Sequence, residues 1–256
     1  MDGVGQPRQR ADREGRRLVD RAAVSAVTHR GVPFANPLAE AAIDDAIAAL
    51  RLRAGARVLD VGCGAGELLA RVAAAHDVVT EGVEPAPEWA SAARERVDVV
   101  HEARLEDLAL EPRAYDLVAC IASSHAFGAW PAAVRGLARL VRPGGLGLLG
   151  EGFWRRKPDA GYLERLGGAS AGELPASLDA LKAAARAAGW AVVETAVASD
   201  ADWAAYEETL IANGEAWLAR GPDPDLRAWV DAARTRWEGE GGQDTMGFAL
   251  LTLRRV

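Results

Sequence analysis

The sequence predicts an α/β domain built on a parallel β-sheet. Short buried apolar runs alternate with amphipathic helical segments, the pattern of parallel strands joined by right-handed crossovers. One of these runs leads into a turn with three glycines, Gly62-Cys63-Gly64-Ala65-Gly66, which opens a helix. The chain has 256 residues, of which 50% are hydrophobic, so it can bury the core of one such domain.

The individual elements follow from periodicity and from turn residues. An apolar stripe with helical spacing predicts a first helix over 37–50, with Asn36 as its N-cap and Pro37 at its first position. The later strands and helices are expected, in chain order, over 56–61, 66–75, 78–84, 86–95, 97–101, 115–121, 131–140, 145–151, 174–188, 190–197 and 246–254. Gly189 ends the helix over 174–188.

Residues 200–240 form an insertion before the last strand. Two helical stretches, 202–220 and 225–237, are separated by a turn with two prolines and a glycine. The insertion holds much of the aromatic content: Trp203, Tyr206, Trp217, Trp229 and Trp237. Packing onto the sheet edge explains these rings, and a substrate pocket under a lid explains some of them; both interpretations can hold for different rings.

Composition excludes several classes of protein. A formal net charge of -7 argues against nucleic acid as the main partner, because phosphate neutralisation needs a basic surface. The polar, Arg-rich segment 1–17 is expected to be a disordered tail, and 18–256 a single domain. No apolar run reaches the roughly twenty residues of a membrane helix, and no secretory signal is visible. The cysteines Cys63 and Cys120 form no disulfide framework and no metal site, so we expect a cytoplasmic protein.

The spacing of the glycines narrows the choice of ligand. A dinucleotide fingerprint reads G-x-G-x-x-G, and its third glycine would fall where Glu67 stands. The carboxylates of Asp60 and Glu67 are poor neighbours for two phosphates but suit a cationic or zwitterionic ligand. S-adenosylmethionine carries an ammonium and a sulfonium and no phosphate. The turn therefore favours that cofactor over a nicotinamide dinucleotide.

A second acid supports this choice. Glu84 ends the next predicted strand, about twenty residues after the glycine turn, where a carboxylate can accept hydrogen bonds from both ribose hydroxyls. The alternative is a solvated acid at a strand end, just before Pro85.

Four segments together resemble the class I S-adenosylmethionine-dependent methyltransferases. VLDVGCGAG at 58–66 and GVEPAPEWASAARER at 82–96 are similar to motif I and the acidic motif that follows it. AYDLVACI at 114–121 resembles the fourth-strand motif, and LARLVRPGGL at 137–146 resembles the turn before the fifth strand. The resemblance covers about 36–155. The runs at 123–128 and 150–154 resemble bacterial members that act on small molecules.

This resemblance implies a Rossmann-like, doubly wound, seven-stranded sheet. It is mostly parallel, and 246–254 is its one antiparallel strand, inserted between the fifth and the sixth. The implied chemistry is in-line transfer of a methyl group to an oxygen, nitrogen or sulfur of a small-molecule substrate. A non-catalytic cofactor-binding protein and a nicotinamide-dependent oxidoreductase remain the alternatives; the sequence does not set the oligomeric state.

The cofactor should bind beyond the carboxyl ends of the strands, where the strand order reverses. The resemblance implies these contacts: Asp60, Gly62, Cys63, Gly64, Glu84, Pro85, Leu105, Glu106 and Ile121. Asp60 would order the loop and reach the ammonium, although it could instead be a turn acid. Arg104 departs from the family, because many members carry an acid there to accept the adenine amino group and arginine only donates. Glu106 or a carbonyl could replace that acid, unless the register differs by a residue or two.

The acceptor side offers two candidate catalytic residues. His125 follows the fourth strand and could be a general base, or a structural histidine bound to a neighbouring loop. Glu151 ends the fifth strand and could orient a cationic acceptor or hold a loop. Three rings are candidate walls of the substrate pocket: Phe34, Trp154 and Tyr206. Segment 28–34 should form an arm over the cofactor, with His29 in a solvated position.

Overall fold

The computed structural model describes residues 21–166, 169–239 and 242–256. The tail expected over 1–17 lies outside these residues. The described residues form one seven-stranded sheet in the order β3-β2-β1-β4-β5-β7-β6. Its strands are β1 (Ala56–Val61), β2 (Val78–Val83), β3 (Val99–His101), β4 (Tyr115–Ile121), β5 (Val141–Trp154), β6 (Trp190–Val197) and β7 (Met246–Arg255). Strands β1 to β5 pair in parallel, and β7 runs antiparallel to both of its neighbours, β5 and β6. The predicted sheet is confirmed.

Helices connect and cover these strands. They are α1 (Arg21–Thr28), α2 (Glu40–Ala49), α3 (Glu67–Ala75), α4 (Pro87–Ala93), α5 (Trp130–Leu140), α6 (Ala160–Arg165), α7 (Leu178–Ala187), α8 (Asp200–Leu218), α9 (Pro224–Glu238) and α10 (Gly242–Thr245). The prediction of a helix from Pro37 was wrong at its start, since α2 begins at Glu40. The Asn36 side chain accepts the Leu38 amide at 3.0 Å, and this local turn replaces the expected first helical turn.

Each strand of the sheet centre sends alternate side chains to opposite faces. Val58 and Leu117 enter a first core with α2 and α3, whereas Leu59 and Val118 enter a second core with α5 and α7. Leu59, Leu117 and Val118 are 0% exposed. Burial of one such side chain contributes about 1.5–3 kcal/mol. The two cores therefore stabilise the packing of helices on both faces of the sheet. The double winding follows from this alternation.

A third core joins the N-terminal helix to the insertion. Val24 of α1, Ile211 of α8 and Leu226 and Val230 of α9 pack together. The side-chain amide of Asn213 donates to the main-chain oxygens of Thr28, at 2.8 Å, and Arg30, at 2.9 Å. We call α1, α8 and α9 the helical cap. Both helices expected in the insertion are present, and their union with α1 is a feature that local sequence patterns do not show.

Within the described ranges, none of the helices combines the length and the apolar character that crossing a bilayer requires.

Candidate active site

The strand order reverses between β1 and β4, so the loops that follow these two strands diverge. Asp60 lies at the carboxyl end of β1, Glu84 follows β2, and Ile121 ends β4. Glu151 lies in β5, where the pairing of that strand with β4 ends. The topology therefore gathers these predicted residues at one edge of the sheet, which we call the carboxyl edge.

The glycine loop is pinned on both sides. The amides of Gly62 and Cys63 donate to the carbonyl oxygen of Val83, at 2.8 and 3.2 Å. Gly62 has a φ of +78°, and a Cβ there would lie 2.3 Å from Oγ of Ser123. Only glycine allows both this conformation and this approach. At Gly64, by contrast, a Cβ would meet no atom within 4 Å. The loop thus leaves open space beside Gly64 while its base is fixed.

Cys63 takes part in the loop through its main chain. Its side chain is buried, and a Cβ added at Gly82 would lie 2.6 Å from the Cys63 sulfur. Burial, together with the nearby carboxylates of Asp60 and Glu84, raises the pKa of the Cys63 thiol far above its usual range. The side chain is therefore a packing thiol under β2, and a contact of Cys63 with the cofactor would come from its backbone.

Glu84 is bound to the glycine loop rather than solvated. One of its oxygens accepts the Gly64 amide at 3.1 Å, and the other accepts the Ala86 amide at 2.9 Å. A carboxylate has about four acceptor sites, so two amides leave capacity for further donors. The structure thus fixes the orientation of Glu84 and leaves its remaining lone pairs for two hydroxyl groups.

Asp60 is a buried carboxylate with unused capacity. It is 4% exposed, and its Oδ1 has no hydrogen-bond partner among the described residues. Burial, and then the negative charge of Glu84, raise the pKa of Asp60 to about 7. An unpartnered buried oxygen of this kind costs free energy unless a donor meets it. A cationic ligand group beside the loop would supply that donor.

Glu67 does not add to this negative site. Its two oxygens accept from Arg71 and Arg96, each at 2.8 Å. Glu67 was expected to be one of the acids that disfavour phosphates, but these arginines neutralise it. The negative character of the loop rests on Asp60 and Glu84.

The adenine side of the site begins at a short 3-10 helix, Leu105–Asp107. Leu105 is half-buried and packs against the second core. Arg104 and Glu106 are 71% and 67% exposed and pair with each other at 2.9 Å. The first amides of a helix have no partner inside it, so the Leu105 amide can donate to a ligand; its contact with the adenine ring stays a prediction. Pro85 is exposed between Glu84 and α4.

A strained residue follows β4. Ala122 has a φ of +58°, which is unfavourable for a residue with a Cβ, and its amide donates to the Gly150 oxygen at 2.9 Å. The next residue, Ser123, is the one that packs on Gly62. Sequence reasoning missed both residues as parts of the site. The Ser123-Ser124-His125 run was noted, but nothing in it shows a left-handed alanine.

His125 and Glu151 lie close enough at the carboxyl edge for their charges to interact. Glu151 is 8% exposed, and it accepts the Gly152 amide at 2.8 Å and a bond from the Ser124 side chain. Burial raises the pKa of Glu151, and the bonds from Ser124 and Gly152 oppose that shift. His125 lies on the 3-10 helix Ser124–Phe127 and is exposed. Glu151 therefore holds the turn on which His125 stands.

The three candidate wall rings lie in different surroundings. Phe34 stacks under the Arg71 guanidinium, 4.7 Å from its ring centre. Trp154 is buried, donates its indole N–H to the Ala171 oxygen at 2.7 Å, and meets Tyr162 edge-on. A role for these two rings in a substrate pocket stays a prediction.

Tyr206 is the third wall ring, and its hydroxyl lies 2.9 Å from Nε2 of His29. The expectation of a solvated His29 was wrong, since this histidine is half-buried and hydrogen-bonded. The packing alternative for the aromatic insertion is observed for four of its rings, and a substrate pocket under a lid stays a prediction. Trp217 and Trp229 pack inside the helical cap, whereas Trp203 and Tyr206 pack on the first core, together with Ile121.

Across residues 21–166, 169–239 and 242–256, the histidines, cysteines and acids form no group of three or more that could hold an ion.

Comparison with known proteins identifies the class. Residues 36–195 match the family model described as a methyltransferase domain, and the chain belongs to this family. The YjhP protein of Escherichia coli (strain K12) is 30% identical over 192 residues, which cover 72% of this chain and 77% of that protein. The 27-O-demethylrifamycin SV methyltransferase of Amycolatopsis mediterranei is 37% identical over 110 residues, or 40% of each chain.

A solved structure shows the cofactor of a similar fold. The S-adenosylmethionine-dependent methyltransferase of Geobacter sulfurreducens, in complex with S-adenosylhomocysteine, superposes with a TM-score of 0.80 and 25% identity, covering 93% of this chain and 100% of that one. The residues present here fit the same cofactor, since the orphaned oxygen of Asp60 suits an ammonium and Glu84 suits the ribose hydroxyls. The protein is an S-adenosylmethionine-dependent methyltransferase.

Proposed function

We propose that the protein transfers the methyl group of S-adenosylmethionine to a small-molecule acceptor that binds between the carboxyl edge and the helical cap. The observation that carries this proposal is the packing of two rings of the helical cap on the first core. Trp203 and Tyr206 of α8 pack on the same core as Ile121, the last residue of β4, and Ala122, which follows it. An edge covered by such rings would suit a small, partly apolar acceptor better than a macromolecule. The name of the Amycolatopsis relative, a methyltransferase of a rifamycin oxygen, supports a small acceptor.

The protein's own contribution is positioning and exclusion of water. The bound cofactor supplies an electrophilic methyl group on a good leaving group. Glu84 and the main chain around Gly62 and Gly64 are proposed to hold its ribose and amino-acid parts. Asp60 is proposed to pair with its ammonium. The cap would then exclude water and align the acceptor with the methyl carbon, the effect that makes an intramolecular reaction fast.

His125 and Glu151 are proposed to form the polar side of the acceptor site. Glu151 and the Ser124 side chain hold the 3-10 turn, and the turn presents His125 at the surface of the carboxyl edge. His125→Ala should lower kcat/KM for the acceptor and leave cofactor affinity near that of the wild type. The effect of Glu151→Gln should resemble that of His125→Ala, because it loosens the turn that carries His125.

Methyl transfer from labelled S-adenosylmethionine tests the proposal. Catechol, an aliphatic alcohol, a primary amine and a thiol would be offered separately, beside total RNA and a denatured protein mixture. We expect label in one of the small molecules and S-adenosylhomocysteine in equal amount. Label confined to RNA or protein would contradict a small acceptor. Cofactor binding without any transfer would favour a non-catalytic binding protein.

A further inference from the structure

One hydrogen bond within the helical cap joins two segments that are far apart in the chain. His29 follows α1, and Tyr206 lies in the second turn of α8, yet the Tyr206 hydroxyl is 2.9 Å from His29 Nε2. The bond spans 177 positions of sequence. The bonds of Asn213 to the oxygens of Thr28 and Arg30 hold the same two segments together.

The surroundings of His29 favour one placement of its ring proton. Nδ1 lies 3.1 Å from the main-chain oxygen of Ser25, which can only accept, and 3.2 Å from the Ser25 hydroxyl, which can donate or accept. A proton on Nδ1 satisfies both contacts, so we assign Nδ1 as the protonated nitrogen of the neutral ring. Nε2 then carries the lone pair and accepts from the Tyr206 hydroxyl. The Thr28 hydroxyl lies 3.2 Å from Nδ1, but it donates its hydrogen to the Val24 oxygen at 3.0 Å. Its hydrogen is therefore not directed at Nδ1.

Burial favours the neutral form of His29, and its polar neighbours offset only part of that effect. Burial lowers the pKa of His29, while the Ser25 carbonyl and the negative charge of Glu207 act in the opposite direction. Glu207 is itself paired with Arg236 at 3.0 Å, and both side chains are largely buried. Burial and Glu207 raise the pKa of Tyr206, so its hydroxyl keeps its proton at neutral pH. The pair at rest is a neutral phenol that donates to a neutral imidazole.

The hydroxyl oxygen of Tyr206 retains acceptor capacity after it has donated its hydrogen to Nε2. Its ring stands edge-on to Trp203, with centroids 6.4 Å apart, and packs against the first core, as Ile121 and Ala122 also do. An acceptor bound on this side of the core, as the proposed function requires, would offer its donor group to this oxygen.

We propose that Tyr206 and His29 together take the proton of the acceptor, and that the acceptor is a hydroxyl compound, preferably a phenol. This rests on the proposed function. The acceptor oxygen forms a bond to the methyl carbon as the carbon–sulfur bond breaks, with its electron pair left on sulfur. The acceptor's O–H proton moves to the Tyr206 oxygen, and the proton of Tyr206 moves to His29 Nε2. The imidazolium so formed is stabilised by the Ser25 carbonyl and Glu207, and it later releases one proton to solvent.

Turnover with catechol and with a thiol tests the relay. Tyr206→Phe and His29→Asn should each lower kcat with catechol by roughly 10²–10⁴-fold, the usual contribution of a general base. Thiol methylation should change much less, because a thiol ionises readily by itself. Tyr162→Phe and His76→Asn are the matched controls, since they remove a hydroxyl and a ring elsewhere in the fold. The rate of the wild type with catechol should decrease when the pH is lowered through the pKa of His29. In His29→Asn this decrease at acidic pH should be absent.

Nitrogen-15 NMR of His29 in the protein with bound S-adenosylhomocysteine gives a readout that needs no turnover. We expect the Nδ1–H tautomer at pH 7 and a pKa that shifts in Tyr206→Phe. Retained catechol turnover and an unchanged pH profile in Tyr206→Phe would overturn the relay, as would the Nε2–H tautomer. If no acceptor is methylated at all, the proposed function fails, and the tautomer still decides whether the pair has the orientation required.

Discussion

Gly62 shows at the scale of one residue why the loop needs its glycines. Its positive φ and the approach of Ser123 leave no room for a side chain. Glycines in a turn allow another part of the protein or a ligand to approach the backbone closely. The structure places the approach at Ser123, sixty-one positions away in the chain, beside the strained Ala122. Local sequence patterns do not reveal this contact, because it arises only when β1 and β4 pair side by side in the sheet.

Gly62→Ala should therefore destabilise the protein more than Gly64→Ala does. Both residues have positive φ, which costs a non-glycine residue about 1–2 kcal/mol. Only the Gly62 variant adds a clash, for which overpacking typically costs a further 1–3 kcal/mol. Urea denaturation of the two variants without cofactor measures the difference. Equal losses of unfolding free energy in the two variants would show that Ser123 moves away from the added methyl group at little cost.

At the scale of elements, strands were easier to predict than helix ends. The predicted bounds of β1, β4 and β6 agree with the structure. Continuous apolar runs mark β1 and β4 as buried parallel strands, and Gly189 marks the start of β6. β5 is longer than predicted, since its antiparallel pairing with β7 continues to the Trp154–Met246 pair beyond the carboxyl edge. The short α6 was missed; its Asp159 cap, which accepts the Tyr162 amide at 2.7 Å, is one local feature that points to it.

The helical cap was not predicted as one unit from the sequence. An N-terminal arm and a separate insertion were expected, and they share one core and the Asn213 bonds. A role of this unit as a lid stays a prediction. The site residues near it, such as His29 and Tyr206, could not be paired from the sequence, because nothing local relates them.

Asn213→Ala should release α1 from α8. The substitution removes two hydrogen bonds to main-chain oxygens, each contributing about 0.5–1.5 kcal/mol. Amide hydrogen exchange over 21–32 should accelerate, while exchange in the sheet stays unchanged. Thr209→Ala, on the same helix and exposed, is the control. Unchanged exchange over 21–32 would show that the apolar core of the cap holds α1 without Asn213.

At the scale of the whole molecule, Asp60 links stability to pH. Its ordinary pKa is 3.8 and its folded pKa is about 7, so between these values the folded state binds more protons than the unfolded state. The stabilisation of the folded state that comes from the protonated Asp60 is present at pH 4 and is lost as the pH rises through 7. Asp116 acts in the opposite direction: hydrogen bonds from Arg142, Arg53 and the Arg57 amide outweigh its desolvation and lower its pKa, and its contribution is lost on acidification.

Asp60→Asn isolates the Asp60 contribution. The variant should be more stable than the wild type at pH 8, and the difference should shrink toward pH 5. Each unit of pKa shift corresponds to about 1.4 kcal/mol, which sets the scale of the change. Urea unfolding at the two pH values, without cofactor, measures it. A difference that does not depend on pH would mean that Asp60 titrates normally in the folded protein.

Binding of S-adenosylhomocysteine by isothermal titration calorimetry tests most directly how this chain holds its cofactor. We expect the wild type to bind one molecule per chain and not to bind NADH. Glu84→Gln should weaken binding roughly ten- to a hundredfold, as expected when hydrogen bonds to a charged group are lost, at about 1.5–3 kcal/mol. Glu88→Gln, an exposed acid on α4, should bind like the wild type. Wild-type affinity in Glu84→Gln, or binding of NADH in place of S-adenosylhomocysteine, would contradict the site described at the carboxyl edge.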